Sequence, residues 1–152
     1  MLVPFVLVAA GCSAKAPYEG KSAAELERML HDPSSSVQAQ GAYGLSLLGP
    51  KASDAVPALV EALTKESIVR QNAALALGNI GPDAKDAVPA LIGALGDPEW
   101  TVRRQAALAL GQIGPVARAA LPPLERLKSD KDKLVRSAAA EAISRINAQS
   151  VE

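Results

Sequence analysis

The chain has 152 residues, enough for one domain with a real core, and 16 Lys+Arg balance 16 Asp+Glu to a formal net charge of zero. That balance argues against a dedicated nucleic-acid binder, which would carry a basic surplus, and a 49% hydrophobic content argues against disorder. Thirty Ala and 19 Leu against four aromatic residues favour close-packed helices over sheets, while one Cys and one His exclude an intrachain disulfide, an all-Cys zinc site and His-rich metal chemistry.

Residues 1–11, MLVPFVLVAAG, carry no charge and are too few for a membrane-spanning helix, which needs about 20 residues. A short apolar run ending in small residues has the layout of a secretory h-region and cleavage site. The sole Cys follows at once in Val8-Ala9-Ala10-Gly11-Cys12-Ser13. This stretch resembles the lipobox of bacterial lipoproteins. The resemblance implies cleavage before Cys12, acylation of its thiol, and attachment to a membrane of the bacterial cell envelope, on its periplasmic or extracellular face. No Lys or Arg precedes Cys12, and Ala9 stands where Leu is commoner. Residues 12–21, with Pro17 and Gly20, read as a tether.

Four repeats follow. Ile80-Gly81-Pro82 recurs 33 residues later as Ile113-Gly114-Pro115, and Leu48-Gly49-Pro50 precedes it by 32. Ala-Val-Pro-Ala-Leu runs from Ala55 and again from Ala87, with a weaker copy from Ala120. Val69, Val102 and Val135 each precede an Arg, and Val37-Gln38 is the first member. The units are 22–52, 53–84, 85–117 and 118–147, with 148–152 as a tail. Each reads as two helices. Ser22 and Glu25 form a capping box, and Asp54 and Asp86 are the matching caps of later first helices. Asp32-Pro33 and Asp97-Pro98 supply a cap and a first-turn Pro for second helices. Val69, Ala73, Ala76, Leu77 and Ile80 make one apolar stripe at the helical period. Gly49, Gly81 and Gly114 end the second helices in a left-handed C′ position, with Asn147 as the last-unit substitute.

Helix pairs at this period, with Asp six residues before the Arg of Val-Arg, resemble HEAT repeats, and the short unit is similar to the compact variety of phycobilin lyases. The resemblance covers residues 22–147. It implies an all-α, right-handed α-solenoid of four two-helix HEAT-like repeats, first helices convex and second helices concave. It also implies an Asp–Arg ladder between repeats, so Asp97, Arg103, Asp130 and Arg136 are assigned to structure, with Gln38 stopping the ladder in the first unit. Glu27 and Glu125 stand where the inner units have Val60 and Ile92, and Glu141 replaces Tyr43, Leu75 and Leu108. Polar terminal units are what a complete, soluble stack requires.

No Ser-His-Asp set, paired carboxylates or Gly-rich phosphate loop is present in the sequence. The iron enzyme deoxyhypusine hydroxylase resembles this chain in scaffold, but its His-Glu pairs have no counterpart here, and His31 reads as an exposed helix end. The function expected is a non-enzymatic scaffold without cofactor, monomeric and without nucleic acid, that binds a protein partner. The competing reading is an enzyme or enzyme accessory of the bilin-lyase or hydroxylase kind. The expected partner-binding surface is concave: Gln71, Arg104 and Ser137, with Tyr43, Leu75, Leu108, Asn79, Gln112 and Arg145 beside them. Trp100, the only Trp, is a hot-spot candidate whose alternative is packing on an adjacent helix. Gly78 and Gly111 are assigned to close helix stacking.

Overall fold

The computed structural model describes residues 15–148. They form eight α-helices: α1 (Ala23–Met29), α2 (Ser35–Leu48), α3 (Val56–Ala62), α4 (Ser67–Ile80), α5 (Val88–Ala94), α6 (Trp100–Ile113), α7 (Leu121–Leu127) and α8 (Lys133–Ala148). Three 3₁₀ segments, Gly49–Ala55, Gly81–Ala87 and Pro115–Ala120, join one unit to the next. No strand occurs among the described residues, and no helix there is long and apolar enough to cross a membrane. The reading of residues 1–11 and Cys12 lies outside the described residues.

Each unit pairs a short odd-numbered helix with a longer even-numbered one. The even helices stack directly, α2 on α4 on α6 on α8, whereas α1, α3 and α5 meet the next unit chiefly through its 3₁₀ segment. The stripe anticipated in α4 forms the seam between the layers: Val69, Ala73, Ala76, Leu77 and Ile80 are all buried. Leu26, Leu59, Leu91 and Leu124 fill it from the odd helices. At about 25 cal/mol per Å² of apolar surface, each such leucine stabilises the fold by roughly 1.5–3 kcal/mol.

Small residues set the spacing within the even layer. A Cβ on Gly78 would lie 2.9 Å from Ala109 Cα, and one on Gly111 would lie 2.9 Å from Ala142 Cα. Helices α4, α6 and α8 thus approach one another closely through glycine and alanine.

The helix boundaries differ from the sequence expectation in three ways. Asp54 and Asp86 do not cap α3 and α5, because 3₁₀ turns intervene and the N-cap residues are Ala55 and Ala87. Pro57 and Pro89 do fall in the first turn, where a missing N–H costs little. Asp32 and Asp97 stand two residues before the N-caps Ser34 and Glu99, accepting from their backbone N–H groups at 2.8 and 2.9 Å. Third, Gly49, Gly81 and Gly114 have φ of +54, +77 and +85°, but their ψ values of −132, −140 and −148° leave the left-handed helical well for a region open essentially to glycine alone. Asn147 ends nothing, since α8 runs on to Ala148. The Ser22–Glu25 capping box is present in both directions.

Candidate protein-binding surface

The ladder forms on one edge of the even layer. Arg70 Nε and Nη2 donate to Asp97 Oδ2 and Oδ1 at 2.7 and 2.8 Å; Arg103 makes the same fork on Asp130 at 2.9 and 3.0 Å. Each Asp also accepts a turn N–H in its own unit, from Glu99 or Asp132. Burial alone would raise the Asp97 carboxyl, but the Arg70 fork and the Glu99 N–H hold it below the usual carboxylate range. For Asp130 the Arg103 fork is the main cause of the same lowering.

The six-residue spacing has a different meaning from the one the sequence offered. Arg103 Nη1 donates to the backbone carbonyl of Asp97 at 2.9 Å, and Arg136 Nη1 to that of Asp130 at 2.8 Å. The carboxylate at that position serves the Arg of the preceding unit. Arg136, in the last unit, therefore holds, among the described residues, carbonyls of its own loop, Asp130 and Lys131, and is not an inter-repeat rung. Arg70, left out of the anticipated set, is one. Between the first two units both partners change together. Gln38 holds the Asp32 carbonyl at 2.7 Å, and Lys65, whose carbonyl accepts from Arg70 Nη1 at 2.7 Å, occupies the place of the missing Asp. That junction is bridged instead between α4 and α2, where the amides of Asn72 and Asn79 donate to the carbonyls of Ala39 and Ser46 at 3.2 and 3.0 Å.

Among the described residues, the face of the even layer that no odd-helix residue lines carries two hollows of about 380 Å³ each. The first is apolar, lined by Tyr18, Ala39, Tyr43, Ile68 and Asn72 among others, with Tyr18 and Tyr43 edge to face at 5.1 Å. The second is lined by Leu75, Arg104, Gln105, Leu108, Gln112, Glu141 and Arg145. Of the residues assigned to a partner surface, Tyr43, Leu75, Arg104, Leu108, Gln112 and Arg145 thus open onto these hollows. Gln71 is half-buried and outside both linings, and Ser137 is exposed and likewise outside them. Asn79 spans to the neighbouring helix. Trp100 is 39% exposed at the first residue of α6 and lines neither hollow. Leu75, Leu108 and Arg104 share the second hollow, whereas Gln71 and Ser137 line neither. Asn72, Gln105 and Glu141 were missed, although Asn72-Leu75-Asn79 and Gln105-Leu108-Gln112 stand at i, i+3 and i+7, the spacing of one helix face.

His31 is exposed. No group of three or more His, Cys, Asp or Glu among the described residues could hold a metal ion.

No curated protein matches the chain by sequence. Among solved structures it is similar to two engineered proteins from the Northeast Structural Genomics Consortium. Both are 28% identical with a TM-score of 0.72 over 83% of this chain, covering 62% and 64% of theirs. A designed armadillo repeat protein in complex with the peptide (KR)4 has the same fold, at 22% identity and TM-score 0.70 over 80% of this chain and 63% of that one. The chain therefore spans a little over three-fifths of the length of these structures. Residues 23–86 and 66–144 match HEAT_2, the family of HEAT repeats. With helix pairs stacked through small residues and joined by Arg–Asp forks, the chain belongs to the HEAT-repeat family.

Proposed function

We propose that the protein is a non-enzymatic scaffold, acting as a monomer, that binds a protein partner in the groove formed by α2, α4, α6 and α8. The observation that carries this is the groove itself: half-buried Leu75 and Leu108 with exposed Tyr43, set among amide side chains on a rigid helical layer. Such a surface offers apolar contact area and adaptable hydrogen bonding together. Because stacked helices hold it in shape, ordering costs fall mainly on the partner. That a designed repeat protein of this fold is in complex with a peptide is in keeping with the reading.

The proposal extends to an anchor. A lipid on Cys12 would hold the repeats at an envelope membrane, and the six residue steps from Cys12 to Tyr18 reach at most about 22 Å. The first unit would then lie close to the bilayer. A photo-crosslinking residue at Leu108 tests the groove, with Glu61, exposed on α3, as the control position. Discrete protein adducts from position 108 and none from 61 are expected; equal yields from both would refute a groove-specific partner. Incorporation of a palmitate analogue, abolished by Cys12→Ser, is the expected result for the anchor, and label retained by that variant would refute it.

A further inference from the structure

The groove carries little charge, and what it carries is unevenly satisfied. Three charged residues line the two hollows: Arg104, Glu141 and Arg145. Arg145 Nη2 lies 2.8 Å from Glu141 Oε1, so these two neutralise one another one turn apart. Arg104 has no such partner among the described residues, and it is half-buried. The contrast with its chain neighbour is sharp: Arg103 spends its guanidinium on Asp130 and two carbonyls, whereas the fork of Arg104 is left open beside Leu75 and Leu108. An ionised guanidinium partly withdrawn from water is best matched by a carboxylate, which it binds through two parallel N–H···O bonds.

Resting on the reading of this groove as a polypeptide-binding surface, we propose that it selects acidic segments interspersed with apolar residues, with Arg104 receiving a carboxylate while Leu75 and Leu108 take the neighbouring apolar side chains. A chain of net charge zero thus presents a net positive groove, set by one residue. Basic segments are disfavoured there, because the same guanidinium repels them and Glu141 is already engaged. The preference is opposite in sign to the (KR)4 peptide held by the designed armadillo protein of the same fold.

Fluorescence anisotropy with three labelled peptides tests this: alternating Glu-Leu, alternating Gln-Leu, and (KR)4. The Glu-Leu peptide should bind about tenfold more tightly than its neutral counterpart, the effect of a charge-assisted pair of hydrogen bonds. Arg104→Gln should abolish that difference, and Arg104→Lys, which keeps the charge without the fork, should recover part of it. Helicity and melting of both variants should match the parent. Equal affinity for the two leucine peptides, a preference that survives Arg104→Gln, or tighter binding of (KR)4 each overturns acid selection while leaving the groove as a binding surface. Failure of all three peptides to bind overturns the groove reading as well.

Discussion

The Arg103–Asp130 fork should be worth a measurable coupling energy, separable from everything else Arg103 does. Arg103 and Asp130 side chains are 9% and 10% exposed, and each keeps other bonds when its partner is removed. Arg103→Ala also loses two loop carbonyls, and Asp130→Ala also loses the turn bond to Asp132. A double-mutant cycle cancels those side effects and leaves the fork. Two charge-assisted hydrogen bonds in a nearly water-free site, discounted for the remaining exposure, give a coupling of about 2 kcal/mol. Breaking a buried pair from one side costs about 3–5 kcal/mol, so the singles should lie near the low end, about 3 kcal/mol each. Urea titration followed by helical ellipticity reads both quantities. The pair Arg104→Ala with Asp130→Ala is the control and should show coupling near zero, since Arg104 makes no bond to Asp130. Arg103→Glu should destabilise more than Arg103→Ala, because it sets a second carboxylate against Asp130, whereas Arg104→Glu should leave the melting temperature nearly unchanged. Coupling below about 0.5 kcal/mol for Arg103–Asp130, or instability in Arg104→Glu, would refute the division of labour between these adjacent arginines.

Acid should act through the rungs. Asp97 and Asp130 have lowered carboxyl pKa values in the folded state, so their contribution is complete above the unfolded value of about 3.9 and is lost as pH falls through the folded value. The urea midpoint should therefore drop steeply below about pH 4, and less steeply in the Asp97→Asn, Asp130→Asn double variant. Gly111→Leu should cost about 2 kcal/mol or more, since its side chain would enter the Ala142 backbone, and thermal melting reads it. Gly93→Ala in α5, where an added Cβ meets nothing within 4 Å, should instead stabilise by about 0.5–1 kcal/mol. Ser22→Ala removes the capping box of α1 and should cost about 1 kcal/mol.

The repeat phase was legible because proline, glycine and valine recur at fixed offsets, and each has one strong local meaning. Gly114-Pro115 ends a helix in any context, and Val102 with Ala106 and Leu110 can only face a core. The 3₁₀ segments were not legible. Asp54 and Asp86 carry the composition of a helix cap, and only the backbone of Gly49–Ala55 and Gly81–Ala87 shows that Pro50 and Pro82 lie in 3₁₀ turns of their own. The Arg–Asp partnership was half legible: both residue types were visible, but a six-residue spacing reports chain neighbours, and the fork crosses 27 residues. In the groove, the face expected opposite the apolar stripe ran through Gln71, Arg104 and Ser137, and Asn72 and Gln105, one position on, went unnamed although their helical spacing from Leu75 and Leu108 was available. Trp100 stood out only by rarity, which says nothing about where a helix's first residue points.

The glycine–alanine contacts between even helices also bear on how the solenoid bends. Where α4 meets α6 and α6 meets α8 through Gly78–Ala109 and Gly111–Ala142, no side chain is left to compress, so that run of the even layer resists stretching. The odd helices meet the next unit chiefly through 3₁₀ turns and are tied less directly to one another. The neutral axis of bending then lies along the floor of the groove rather than midway through the molecule. Flexing changes the depth of the groove and the flare of its rim, while the distance between equivalent side chains of successive units, such as Leu75 and Leu108, stays constant. A bound polypeptide would meet a ruler of fixed pitch on a handle free to bend.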